Sequence, residues 1–186
     1  IHSTRSGTSM NLTEFGGTLN YMDRPGTVSS HWVISRTGLK ARVVHDDKQA
    51  WHAQEDNDNA WGIELEQGVE NDGFTPEQIA ALVAVCKGYV EDFGVPIQHS
   101  INSTMGGFIG HQETAQGIRN GKSDPGRLFP WGDFIAALQP APVEIVGLGA
   151  HYIDGPDEEI WTPRPGQVLD GLGARWSDGR ITRLWP

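Results

Sequence analysis

Ile1-His2-Ser3-Thr4 at one end of the chain, with Gly110-His111 and Lys122-Ser123-Asp124-Pro125-Gly126 far downstream, supply two imidazoles, a carboxylate and an ammonium. Two His and one Asp fill three positions on tetrahedral zinc and leave the fourth for water, the open arrangement of a catalytic ion rather than a structural one. A metal-dependent hydrolase is therefore the first expectation. Residue type and spacing do not choose the ligands by themselves, since His31, His45, His52, His99 and His151 are also available. Nor do they fix the metal, because His and Asp also serve iron, manganese and cobalt.

The elements that must position these groups are partly legible. Thr75 as N-cap, Pro76 as first helical residue and Gln78 three positions after the cap form a capping box that starts a helix, and Gly94 and Pro96 stop it after Phe93. Ile79, Leu82, Val83, Cys86, Val90 and Phe93 recur at helical spacing, so one face of that helix needs a flat apolar partner. Residues 30–35 and 39–45 flank Thr37-Gly38 and read as a hairpin, and residues 61–66 as a further strand. Alternation in that strand sets Trp61, Ile63 and Leu65 on one face and Glu64 and Glu66 on the other. A second helix is expected from about Pro130 to Leu138, and a weaker one over Leu12 to Met22, where Gly16-Gly17 argue against it. The fold class is α/β, a mixed central β-sheet flanked by helices.

Gln139-Pro140-Ala141-Pro142 reads as a boundary, giving a domain over 1–139 and a C-terminal extension over 140–186. The extension has short apolar patches without sustained periodicity and is not read as repetitive. Trp161, Trp176 and Trp185 give it enough apolar surface to be expected to pack on the first domain.

Fourteen basic against twenty-four acidic residues leave a net charge of −10, which disfavours nucleic acid as a partner. No apolar run approaches the ~20 residues a membrane-spanning helix needs, and no segment resembles a signal peptide, so no membrane partner is expected. The single Cys86 excludes an internal disulfide and, within Leu82-Val83-Ala84-Val85-Cys86, reads as a packing thiol. The chain begins without Met, one residue before a candidate ligand, and reads as a processed form or a piece of a longer polypeptide.

Six motifs occur in order: Ile1-His2-Ser3-Thr4, Val28-Ser29-Ser30-His31-Trp32-Val33-Ile34, Ala50-Trp51-His52-Ala53, Trp61-Gly62-Ile63-Glu64-Leu65, Gly110-His111 and Lys122-Ser123-Asp124-Pro125-Gly126. Over residues 1–139 the series resembles the zinc-dependent N-acetylmuramoyl-L-alanine amidases shared by phage endolysins, bacterial wall-recycling amidases and peptidoglycan recognition proteins. The resemblance implies one Zn²⁺ per chain in a groove on one sheet face, held by His2, His111 and Asp124. It implies Glu64 and Lys122 as catalytic residues, while His31, Trp51 and His52 are candidates for substrate binding. The reaction implied is hydrolysis of the amide between N-acetylmuramic acid and L-alanine, on peptidoglycan or a soluble muropeptide. A monomeric phage endolysin is expected, made in the cytoplasm of a bacterial host and acting on the cell wall; the alternatives are a bacterial muropeptide-recycling or wall-remodelling amidase, or a peptidoglycan-binding protein that does not cut. Two departures stand out, a first strand clipped to Ile1 before His2 and a long segment, Ala115 to Gly121, between His111 and Asp124.

Overall fold

The computed structural model describes residues 1–5, 12–140, 145–152, 158–159, 169–176 and 181–185; for 12–14 and beyond 140 it describes the backbone alone. The chain divides into two compact units, Ile1–Gln139 and Pro140–Pro186.

In the first unit β1 (His2–Ser3), β2 (Trp32–Ile34), β3 (Lys40–Arg42) and β4 (Ile63–Leu65) form one mixed sheet in the order β1-β4-β2-β3. β4 runs parallel to both β1 and β2, and β2 and β3 make the expected antiparallel hairpin. The regular strands are shorter than the sequence implies. Side chains take over at the ends, as where the Leu39 amide donates to Ser35 Oγ at 2.9 Å. Register sets His2 beside Glu64 and Glu64 beside Val33. These three positions share one sheet face, and Ile63 and Leu65, at 3% and 0% exposure, belong to the other.

That second face is covered by α2 (Pro76–Phe93). Thr75 Oγ1 accepts from the Gln78 amide at 3.1 Å, but Gln78 does not complete the expected capping box. Its buried side-chain amide donates to the carbonyls of Ile34 (3.1 Å) and Glu66 (2.9 Å), tying the helix start to the ends of β2 and β4. The buried helix face is Leu82, Val85, Cys86 and Tyr89. The seam is thus rotated from the expected one, and Phe93, at 52% exposure, closes it by lying against Trp61 and Tyr89. Cys86 is fully buried, with its thiol pKa pushed up to about 12 by burial. Glu66 is buried rather than surface-facing, because regular pairing stops at Leu65.

α1 (Leu12–Met22) forms across Gly16-Gly17 despite a cost of about 1 kcal/mol per glycine. Its last turn packs by β2, where Met22 is buried and its sulfur accepts from Ser30 Oγ at 3.4 Å. α3 (Ala115–Arg119) turns the long segment after His111 into a short helix, and α4 (Trp131–Leu138) buries Phe134 and Leu138 in the core beside α2. No helix among the described residues is long and apolar enough to cross a membrane.

The second unit is a sheet of β5 (Ile145–Tyr152), β6 (Glu158–Glu159), β7 (Leu169–Trp176) and β8 (Ile181–Trp185), in the order β6-β5-β7-β8 and antiparallel throughout. Glycines at 147, 149, 171 and 173 interrupt the apolar alternation that would mark such strands in the sequence.

Candidate metal centre

His2, His111 and Asp124 meet where β1, the turn after Gly110 and the segment before Pro125 converge. His2 Nδ1 and His111 Nδ1 are 3.0 Å apart, and Asp124 Oδ2 lies 3.2 Å from His111 Nδ1 and 3.4 Å from His2 Nδ1. Ligands of tetrahedral zinc at ~2.0–2.1 Å stand roughly 3.3–3.4 Å from one another.

The outer nitrogens decide where the protons are. Ala60 O can only accept, so His52 Nε2 carries the proton it donates there at 3.1 Å, and His52 Nδ1 is left as the acceptor for His2 Nε2 at 3.2 Å. His111 Nε2 likewise donates to Gln116 Oε1 at 2.6 Å. Both Nδ1 atoms are then bare lone pairs facing a carboxylate oxygen. Three acceptors this close repel one another unless a cation lies among them, so the donor set fits a metal ion of the zinc type, with His52 and Gln116 orienting its imidazole ligands.

The titration shifts agree with this proton inventory. Burial, reinforced by neighbouring positive charge, lowers His2 to about 4 and His52 to about 3, keeping both rings neutral. Burial and the charge of Asp124 raise partly buried Glu64 to about 8, against a smaller lowering by Lys122.

The backbone is shaped around the two rings. A Cβ on Gly62 would stand 2.6 Å from the His52 ring, and one on Gly117 would stand 1.8 Å from the His111 carbonyl oxygen. Glycine is required at both. Asn57 Oδ1 accepts from the amides of His52 (2.9 Å) and Ala53 (2.7 Å), fixing the loop that carries His52. Glu113 accepts from the Gly110 amide at 2.7 Å and meets His99 Nε2 at 2.9 Å, while His99 stacks on Trp131 at 3.7 Å between centroids. Arg5 reaches across to Ser123, donating to its carbonyl at 2.7 Å, and so anchors the segment bearing Lys122 and Asp124. Lys122 itself is exposed.

The three groove candidates fall in different places. Trp51, at 61% exposure, is free to meet a ligand. His52 lies behind His2 with both nitrogens engaged, and its ring borders a cavity of about 290 Å³ together with His2, His111, Trp61, Tyr89 and Phe108. Glu64, Asp124 and Lys122 do not line that cavity. His31 does not fit the expected groove role. It is 2% exposed, accepts from the Gly62 amide at 3.0 Å and donates to Lys48 O at 3.0 Å, which makes it a brace between β2 and the chain entering β4. His45 stays at the surface by Asp47.

Gln116, Asn57, Gly117 and Arg5 contribute to the site without having been singled out in the sequence, and Gly62 was quoted there only as part of a motif. Only Thr114, which caps α3 by accepting from the Gly117 amide at 2.9 Å, offered a local signal, since a Thr three residues before that position can start a helix.

A mixed sheet with helices packed on it, and a two-His, one-Asp cluster beside the edge strand, combine an α/β fold with a candidate metal-binding centre. The chain belongs to the N-acetylmuramoyl-L-alanine amidase family, whose model matches residues 1–127. Among solved structures it is similar to AmpD, crystallised as a selenomethionine derivative, with TM-score 0.59 and 24% identity over 74% of this chain and 82% of that one. It is also similar to two proteins from Clostridium intestinale, the N-acetylmuramoyl-L-alanine amidase LysC (TM-score 0.53, 19% identity, 74% of this chain and 80% of that one) and the endolysin amidase LysCS (0.53, 20%, 74% and 79%). At these identities the likeness establishes the fold. None of the curated proteins compared matches the chain.

Proposed function

We propose that the chain is a zinc-dependent peptidoglycan amidase, with His2, His111 and Asp124 as ligands, that cuts between N-acetylmuramic acid and L-alanine as the lytic enzyme of a phage. The observation that carries the reading is the pair of bare Nδ1 lone pairs held 3.0 Å apart beside a carboxylate oxygen. When bound there, zinc supplies Lewis acidity toward a carbonyl oxygen and makes water a stronger nucleophile near neutral pH.

The chain's own groups supply the rest. Glu64 neighbours His2 in the sheet, where a cation would draw its raised pKa back toward neutrality, the range suited to a general base. Its carboxylate takes a proton from the attacking water and returns it to the departing L-alanine nitrogen. The water oxygen adds to the lactyl carbonyl carbon, placing negative charge on the carbonyl oxygen, and the C–N bond breaks as the nitrogen takes the proton. Lys122, whose charge reaches Glu64, contributes a cation against the negative charge that develops on the carbonyl oxygen. Trp51 offers an exposed aromatic face at the end of the same loop as His52. The separate second unit favours a wall-acting lytic enzyme over a cytoplasmic enzyme that recycles soluble muropeptides.

The test is hydrolysis of a soluble N-acetylmuramoyl peptide by the full chain before and after chelation. Activity should fall at least 10²-fold and return with one equivalent of zinc. Undiminished hydrolysis by metal-free protein would exclude the metal-dependent reading.

A further inference from the structure

The segments that carry the candidate ligands are fastened to one another beside each ligand. The His111 amide donates to Ile1 O at 3.0 Å, tying the turn after Gly110 to the chain next to His2. The Gln112 amide donates to Asp124 O at 2.9 Å and the Lys122 amide to Gly117 O at 2.8 Å, so the segment bearing Asp124 is fixed to the turn and helix that carry His111 and Gln116. The remaining side of the triangle, from Asp124 back to the β1 segment, is closed by a side chain. Arg5, which follows His2 on that segment, donates through Nη1 to Ser123 Oγ and through Nη2 to Ser123 O at 2.7 Å.

The backbone on both sides of this contact is unusual. Arg5 takes φ +47°, a left-handed conformation that residues with a Cβ rarely adopt. Gly126 takes φ +91°, and a Cβ there would lie 3.3 Å from Arg5 Nη2, so the turn after Pro125 leaves the guanidinium its room. Strain of this kind persists where the surroundings over-determine it.

What needs holding is Asp124. Its Oδ2 lies 3.4 Å from His2 Nδ1 and 3.2 Å from His111 Nδ1, and with both nitrogens bare these acceptors repel one another until a cation enters. A clamp on the neighbouring residue opposes that repulsion and lowers the cost of gathering the ligands. Arginine suits the task, because its planar fork fixes both the position and the orientation of a partner, whereas a lysine ammonium is a single point. Glu70 adds little, since its exposed carboxylate stands 3.7 Å from Nη2 in a surface ion pair.

Resting on the zinc amidase reading of the site, we infer that Arg5 is a positioning residue that presets Asp124 as the third ligand by clamping Ser123 to the segment that carries His2. The test is the zinc affinity of the full chain, read by competition with a chromophoric chelator. Arg5→Met should weaken binding ~10–100-fold, as loss of an outer partner of a ligand does. Arg5→Lys should recover part of that loss. The discriminating measurement is a double-mutant cycle. On an Asp124→Asn background Arg5→Met should change affinity less than ~3-fold, because the ligand it presets is gone, whereas a residue that only supports the fold would cost the same on both backgrounds. Glu70→Gln should also change affinity less than ~3-fold, which separates loss of the clamp from loss of a surface charge. Glycine suits φ +47°, so Arg5→Gly removes the fork without added strain and should show the same zinc loss with wild-type circular dichroism. Unchanged affinity in Arg5→Met, or an equal loss on both backgrounds, would overturn the inference while leaving the amidase reading intact. Weakened zinc binding in a protein whose wild type cuts no N-acetylmuramoyl peptide would instead refute the amidase reading alone.

Discussion

Glu64 joins the catalytic reading to a measurable cost in stability. Its folded carboxyl holds a proton up to about pH 8, whereas in the unfolded chain it releases that proton near 4.5. Between those values the native state binds more protons than the unfolded state, so this group makes stability fall as pH rises from 4.5 to 8 and adds no further change above. Glu64→Gln removes the titration. The metal-free variant should match wild type near pH 4.5 and exceed it by on the order of a few kcal/mol above pH 8; thermal unfolding across that range measures the gap. A gap independent of pH would show that Glu64 is not held as described. Because it is the group assigned to proton transfer, the same substitution should also remove hydrolysis while leaving zinc bound.

At the scale of elements, the site depends on two supports that hold imidazoles from behind. The loop fixed by Asn57 sets His52 against His2, and α3 sets Gln116 against His111. His52→Ala and Gln116→Leu should each weaken zinc binding ~10–100-fold, as loss of such outer partners does, read by competition with a chromophoric chelator. Unchanged affinity in both would mean that the rings are oriented by packing alone. Gly62→Ala forces a methyl into the His52 ring and should cost about 1–3 kcal/mol in unfolding free energy along with zinc affinity. A variant as stable as wild type would show that the loop can move aside.

These supports mark the limit of what the sequence disclosed. The meeting of His2, His111 and Asp124, with Glu64 next to His2, was legible because ordered motifs carry these residues, and α2 because Thr75, Pro76 and Gly94 punctuate it. The roles of His52 and His31 were not, since residue type does not tell which atoms a ring nitrogen faces once the loop has folded. α1 formed against its glycines through packing of its last turn on β2, a tertiary contact that propensity does not contain.

For the whole molecule, the first unit gathers its core and its candidate metal ligands within residues 1–139, and the second carries a four-stranded sheet of its own. The central claim, an amidase acting through Glu64, meets its most direct test in digestion of purified peptidoglycan by zinc-loaded wild type and Glu64→Gln, with mass spectrometry of the released products. Free stem peptides beginning with L-alanine from wild type, and a yield reduced at least 10²-fold from the variant, are the expected result. Products cut at another bond, or equal yields from the two proteins, would contradict it.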